Sequence, residues 1–479
     1  MNTSNIRLKS ITLRNFKNVF NGTLDFEHGS KDFKSSILGL YGQNGSGKTA
    51  LIDALMILQC ALRGTSVPAQ FAEYINVDAE YAELHFEFHL DDAEQGNVFH
   101  IVYEFKMKKV LQQSDNNTDI GMLDEVVPQA MIFDEVLSYS CKGTKYRRLN
   151  PIIDTNTTDE LDIFVPQTKY HELVGKTKDK KTEYEKHTSL LVAKKYAAVS
   201  SRSFVFSREL LDVIHANEKA DAMHLFVIDR LVHYGNFELF VINTMHSGLI
   251  SLNLLPISIN YNDASNRMTG NLLLKLNEPT VLPDNTAEVV ERVIDVMNNV
   301  LTQIVPGLTI STREIEKQIL KNGETGTKIE IISHRNGKQI SLQYESEGIK
   351  KIVSVLHLLI AVYNNPSITV AIDELDAGVF EYLLGELLRI IGEKGKGQLI
   401  FTSHNLRPLE TLNKGFIAFT TTNPDNRYIR MANVKPNHNL RDFYYRDILL
   451  GEQSEPVYEM THNSEIAFAF REAGMNYGS

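Results

Sequence analysis

The chain has 479 residues, 43% hydrophobic and 23% charged, with a net charge of −11. That length holds two or three domains with a sizeable core, and the acidic balance excludes a global basic field for nucleic acid, so DNA contact would have to be local. Two cysteines, Cys60 and Cys141, exclude a disulfide framework; with no apolar signal core at the N-terminus and no run of ~18 apolar residues, they point to a cytoplasmic protein off the membrane.

In chain order, residues 8–13 and 20–26 read as strands on either side of Arg14-Asn15-Phe16-Lys17. The apolar run 36–41 then leads into Gly42-Gln43-Asn44-Gly45-Ser46-Gly47-Lys48-Thr49, which opens a helix ending near Gly64. Strand, glycine-rich turn and helix form the context of a phosphate-binding loop. The glycines let backbone N–H groups curl toward phosphate oxygens, and the helix N-terminus adds partial positive charge. Asn44, Gly45, Ser46 and Gly47 would cradle ATP, Lys48 would reach the β- and γ-phosphates, and Thr49 would ligate Mg²⁺.

Residues 81–90 alternate as a half-buried antiparallel strand, with His85 and His89 on its solvated face. Residues 98–107 and 131–139 read as further strands, joined by a polar loop at 113–117. The lysine-rich segment 175–187 reads as a mobile solvated loop, and residues 208–241 as mostly helical. Pro279 and Pro283 mark a linker. Asn285 and Glu288 form a capping pair for a helix reaching Val305. Strands resume at 308–315, 327–333 and 339–344.

The run Ile368-Thr369-Val370-Ala371-Ile372 ends in Asp373 and Glu374. Continuous apolar character marks a strand buried on both faces of a parallel sheet, and acids at its carboxyl end sit where such sheets bind ligands. Asp373 would hold Mg²⁺ through water, and Glu374 would deprotonate the attacking water. His404 ends a similar run 30 residues after Glu374, a gap that fits strand, helix, strand and lets both ends meet; it would touch the γ-phosphate. Ser346-Glu347-Gly348-Ile349-Lys350 precedes a long apolar helix and offers a hydroxyl and open N–H groups to an anion. With Lys48 already at the γ-phosphate, Ser346, Gly348 and Lys350 make sense if they cover ATP bound to a second copy. Leu375-Asp376-Ala377-Gly378 would then cross the same dimer interface, with Asp376 beside the nucleotide.

Together these segments resemble an ABC-type ATPase head of the SMC and RecF kind, as does the opening Ile11 to Lys17, through which the resemblance assigns Arg14 to the nucleotide. Within that class the long insertion, the Ser-x-Gly-x-Lys signature and the compact size resemble the AAA15 group, which includes OLD-family, AbiL-type, Septu and PARIS anti-phage ATPases. The tail Leu440-Arg441-Asp442-Phe443-Tyr444-Tyr445 with Gly451 resembles AbiL-type ends. The resemblance covers roughly residues 1–110 and 300–450. It implies an α/β fold: a P-loop sheet plus an antiparallel β subdomain, interrupted by a mixed, largely helical insertion. The expected division is an N-terminal lobe at 1–110, an insertion at 111–300, a C-terminal lobe at 301–430 and a tail at 431–479. The implied activity is slow ATP hydrolysis in an ATP-dependent homo-oligomer that regulates a separate effector, such as a nuclease, in phage defence. The alternatives are a RecF-like repair ATPase that clamps DNA and an ATP-locked scaffold. Glu347 stands where transporter-type heads carry glycine, which implies a weaker γ-phosphate contact. Gln129 and Gln167 are the candidates for the Mg²⁺-sensing glutamine. No Asp-x-Asp pair follows His404, so nuclease activity is expected elsewhere.

Overall fold

The computed structural model describes residues 4–26, 36–113, 126–176, 179–262, 267–432, 439–451 and 453–476. The chain opens with β1 (Ser4–Phe16), β2 (Val19–Asp25), β3 (Ser36–Tyr41) and α1 (Lys48–Leu62). There follow β4 (Ala82–Asp92), β5 (Asn97–Gln113), β6 (Val126–Cys141) and β7 (Asn150–Asp154). β4 alternates buried and half-buried positions along its length, as a strand with one face on a core must. These strands build an antiparallel sheet in the order β2-β1-β4-β5-β6-β7. The part of the expected polar loop at 114–117 lies outside the described residues. His85 and His89 pair with Glu104 and Asp91, at 2.7 and 3.1 Å, on the outer face of this sheet.

Next come α2 (Gln167–Val174), α3 (Lys180–Val199), α4 (Arg208–His215), α5 (Ala222–Phe237), β8 (Leu239–Ile242) and α6 (Thr244–Ser251). Most of the lysine-rich segment expected as a loop is helix. Asp179 caps α3, accepting from the N–H groups of Lys181 and Thr182, and the acids at 183 and 185 interleave with the lysines. The hairpin β9 (Leu254–Asn262) and β10 (Arg267–Lys275) leads to β11 (Thr280–Pro283), α7 (Asp284–Ile304), β12 (Leu308–Ile319), β13 (Thr325–Arg335) and β14 (Lys338–Ser341). The expected proline linker is therefore a strand. β11 pairs with β13 at the sheet edge, where a proline's missing N–H does no harm. The expected caps Asn285 and Glu288 lie inside α7, which Pro283 enters without a side-chain cap. Residues 342–344 turn as a 3₁₀ helix instead of extending the strand.

The last section holds α8 (Glu347–Asn364), β15 (Thr369–Ile372), α9 (Glu381–Lys394), β16 (Gln398–Thr402), α10 (Pro408–Thr411), β17 (Ile417–Thr420), β18 (Tyr428–Ile429), α11 (Leu440–Leu450) and α12 (Asn463–Asn476). A central sheet runs β18-β17-β3-β16-β15-β8, parallel except at β18. Every residue of β3, β8, β15, β16 and β17 is buried. Strand β8 comes from the stretch expected as an insertion, yet it is a member of the ATP-site sheet. Residues 208–241 are thus helical only as far as Phe237. Likewise α11 is no loose tail: Leu440, Phe443 and Tyr444 share a core with Phe419 and Phe401. The two large sheets are fastened by buried Gln398, whose amide accepts from the Leu8 N–H and donates to the Leu8 carbonyl, both at 2.8 Å.

Candidate active site

Parallel registry brings four strand ends to one edge: Ile372 lies opposite Ile242 and Phe401, and Thr402 opposite Leu40. The groups that follow these strands must meet there. A hollow results, lined by Lys17, Asn18, Asn44, Gly45, Gly47, Lys48, Thr49, Asp373, Glu374, Thr402 and His404.

The phosphate loop is braced from outside. Gly42 has φ +153°, and a Cβ there would lie 1.8 Å from Thr420 Oγ1, so only glycine fits. Thr420 also hydrogen-bonds Ser46 Oγ and the Tyr41 carbonyl. Tyr428 donates to the Gly47 carbonyl at 3.0 Å, and Asn18 donates to the Gly45 carbonyl. Ser46 is buried in this bracing, while Lys48 donates to the Gly42 and Gln43 carbonyls at 2.7 and 3.0 Å. Burial pushes the Lys48 ammonium below the ordinary lysine range, opposed by Asp373, Glu374 and Asp376.

Across the hollow, Thr402 orders the acids. Its hydroxyl donates to Asp373 Oδ1 and accepts the Glu374 N–H at 2.8 Å. Asp373 Oδ2 is buried without a hydrogen-bond partner among the described residues, a cost that a cation would relieve. A hard carboxylate oxygen and the Thr49 hydroxyl lining one hollow form a donor set suited to Mg²⁺. Glu374 sits at φ +48°, a strained conformation for a residue with a side chain, of the kind that clusters at functional sites. Asp376 Oδ2 accepts the N–H groups of His404 and Asn405 at 3.0 and 2.9 Å. Asp376 therefore shapes the loop that carries His404 instead of lining the hollow.

The other expected residues lie elsewhere. Arg14 pairs with Glu83 at 3.0 Å in a separate hollow on the antiparallel sheet; Lys17 and Asn18, just after it, reach the phosphate loop. Lys17 pairs with Asp53 and lies 3.9 Å from the Tyr74 ring centroid. Ser346 caps α8, accepting the Ile349 N–H. Gly348 meets the Leu375–Gly378 turn: a Cβ would lie 2.1 Å from the Gly378 carbonyl oxygen. Lys350 is buried and does not line the hollow. Gln129 bonds Ser201 and Gln167 bonds Asp162, and neither candidate lines the hollow. The residue at the carboxyl end of β8 is Asn243, next to the Asp373 strand.

Lys351 escaped the sequence reading. It is 3% exposed, and burial lowers its pKa against the opposing influence of Glu374, Asp373 and Asp376. The signal was present: Lys351, Val355, Leu358 and Val362 follow helical spacing, and the three apolar members pack on the parallel sheet. Lys350 falls on the neighbouring face, where Val353 and Leu356 join a different core.

The chain belongs to the AAA_15 family, AAA ATPase domain, which matches residues 7–407. Its fold is an α/β unit that joins a mostly parallel sheet carrying the phosphate loop to an antiparallel β subdomain. A curated relative, the DNA replication and repair protein RecF of Azobacteroides pseudotrichonymphae, is 30% identical over 144 residues, 29% of this chain. The match spans only 36% of that relative's length. Among solved structures, the SMC head domain from Thermotoga maritima is 13% identical, covering 89% of this chain and 99% of its own, with a TM-score of 0.35. The recombination mediator protein RecF-ATPrS in the RecFOR pathway is also 13% identical at the same coverages, with a TM-score of 0.36. No helix among the described residues is long and apolar enough to cross a membrane.

Proposed function

We propose that this chain hydrolyses ATP at a site completed by a second copy of itself, and that the cycle controls a separate effector in phage defence. One observation carries the dimer. Phosphate loop, Asp373, Glu374 and His404 share one hollow, whereas Ser346 and Gly348 lie outside it in their own chain.

The chain's own groups divide the work. Loop N–H groups and Lys48 bind the polyphosphate, for which Lys48 exchanges the Gly42 and Gln43 carbonyls. Asp373 and Thr49 would hold Mg²⁺, which would supply charge that neutralises phosphate oxygens. Glu374 takes the proton of the attacking water, and Thr402 keeps both acids aimed. Ser346 and Gly348 cover the nucleotide of the neighbouring copy.

Mixed dimers test the shared site. Lys48→Ala chains and Ser346→Arg chains are each inactive alone; together they keep one complete site and recover up to about half of wild-type turnover if sites act independently. Without recovery on mixing, a cysteine crosslink from Ser346 to Ser46 separates coupled sites, which crosslink between chains, from a signature acting in its own chain, which does not. For the defence role, a host carrying the gene with its neighbours should lose phage protection on Glu374→Gln. The RecF match supports a second reading, an ATP-dependent DNA clamp. Duplex DNA binding that appears only with Mg-ATP, without any effect on phage plating, would select it.

A further inference from the structure

We infer that α12 is a docking helix for a second copy of this chain, seating on the aromatic rim of that copy's signature. The inference rests on the composite site proposed above.

Residues 463–474 of α12 are exposed throughout, Phe468 at 66% and Phe470 at 77%. Ile466, Ala469, Phe470 and Ala473 follow the i, i+3, i+4, i+7 spacing of an apolar face. A 14-residue helix is marginal alone in water, so such a face calls for a partner.

The root of α12 says where that partner lies. Val457 is buried in the core of the parallel sheet. The Pro456 carbonyl accepts the Thr422 N–H at 2.8 Å, and Glu455 accepts from Asn423 and Asn426. The Glu459 N–H then donates to Gln43 Oε1 of the phosphate loop at 2.9 Å. α12 begins four residues later, within about 14 Å of that contact even if the chain is fully extended.

The complementary surface flanks the signature. Tyr344, two residues before Ser346, is 74% exposed, and Phe380 is 69% exposed. The contact of Gly348 with Gly378 places Phe380 beside the start of α8. In a two-fold dimer that sets each phosphate loop against the other copy's signature, the helix rooted at one loop arrives at the rim of the other. The symmetry makes that contact twice. The competing occupant within one chain is the exposed Leu449–Leu450 patch of α11.

The test uses the full chain with Glu374→Gln, which holds ATP. Sedimentation with Mg-ATP should show a dimer, and adding Ile466→Glu with Phe470→Glu should raise the dimer dissociation constant at least tenfold. Affinity for a fluorescent ATP analogue should stay within twofold, since the changed residues are on the surface. Cysteines at Phe470 and Phe380 should crosslink between chains when ATP is bound, with Cys60 and Cys141 alone as the control. An unchanged dimer constant, or a crosslink within one chain from Phe470 to a cysteine at Leu449, overturns the docking inference and leaves the composite site standing. A Glu374→Gln parent that stays monomeric with ATP overturns both.

Discussion

The phosphate loop and the signature are built from the same parts: small residues, a serine and the first turn of a helix. The loop around Gly42–Thr49 spends its glycines on clearance, with Thr420, Tyr428 and Asn18 holding the backbone open from behind. The signature spends Ser346 on its own helix cap and Gly348 on close packing against Gly378. The loop lines a hollow that also holds Asp373 and Glu374, whereas Ser346 and Gly348 lie outside that hollow. A helix N-terminus is a potential anion site in either case, and what stands opposite decides whether it acts alone.

The largest effect expected is that of Lys48→Ala, which should abolish ATP binding in titration calorimetry, because it removes the point charge that the loop presents. Unchanged affinity would erase the distinction between the two regions. Glu374→Gln should slow single-turnover hydrolysis at least ~100-fold, the scale of a lost general base, while ATP binding persists. Persisting turnover would move the base to another group that lines the hollow, His404 first.

Gly348→Ala sharpens the comparison from the other side. The added methyl meets the Gly378 carbonyl, so overpacking should cost about 1–3 kcal/mol and lower the melting temperature, with ATP affinity unchanged at concentrations where the chain is monomeric. Loss of ATP affinity in the monomer would show that the signature serves the loop of its own chain.

The smallest effect lies away from both. Burial favours the neutral Glu87 carboxyl, but hydrogen bonds from His100 and Lys9 outweigh it and hold its pKa at about 2. The folded value lies below the ordinary 4.5, so the stabilisation is present above pH 4.5 and is lost as pH falls toward 2. Denaturant melts of Glu87→Gln should show a weaker acid dependence across that window, with ATPase activity at neutral pH unaffected.

Local chemistry determined much of this protein from sequence alone. The glycine spacing of Gly42–Thr49, the apolar runs ending at Asp373 and His404 and the alternation of β4 each encode their element without help from distant residues, because backbone sterics and one- or two-sided burial act over a few positions. What crosses the chain was decided by the tertiary structure. Strand β8 joins the parallel sheet only because Ile242 pairs with Ile372, far along the chain, and no local pattern in residues 208–241 announces a sheet partner. Lys17 and Asn18 replace Arg14 at the loop because tight left-handed turns at Asn15 and Lys17 redirect the backbone. Lys351 outranks Lys350 at the acids because the face of α8 that packs on the parallel sheet carries it to the edge where the strands end.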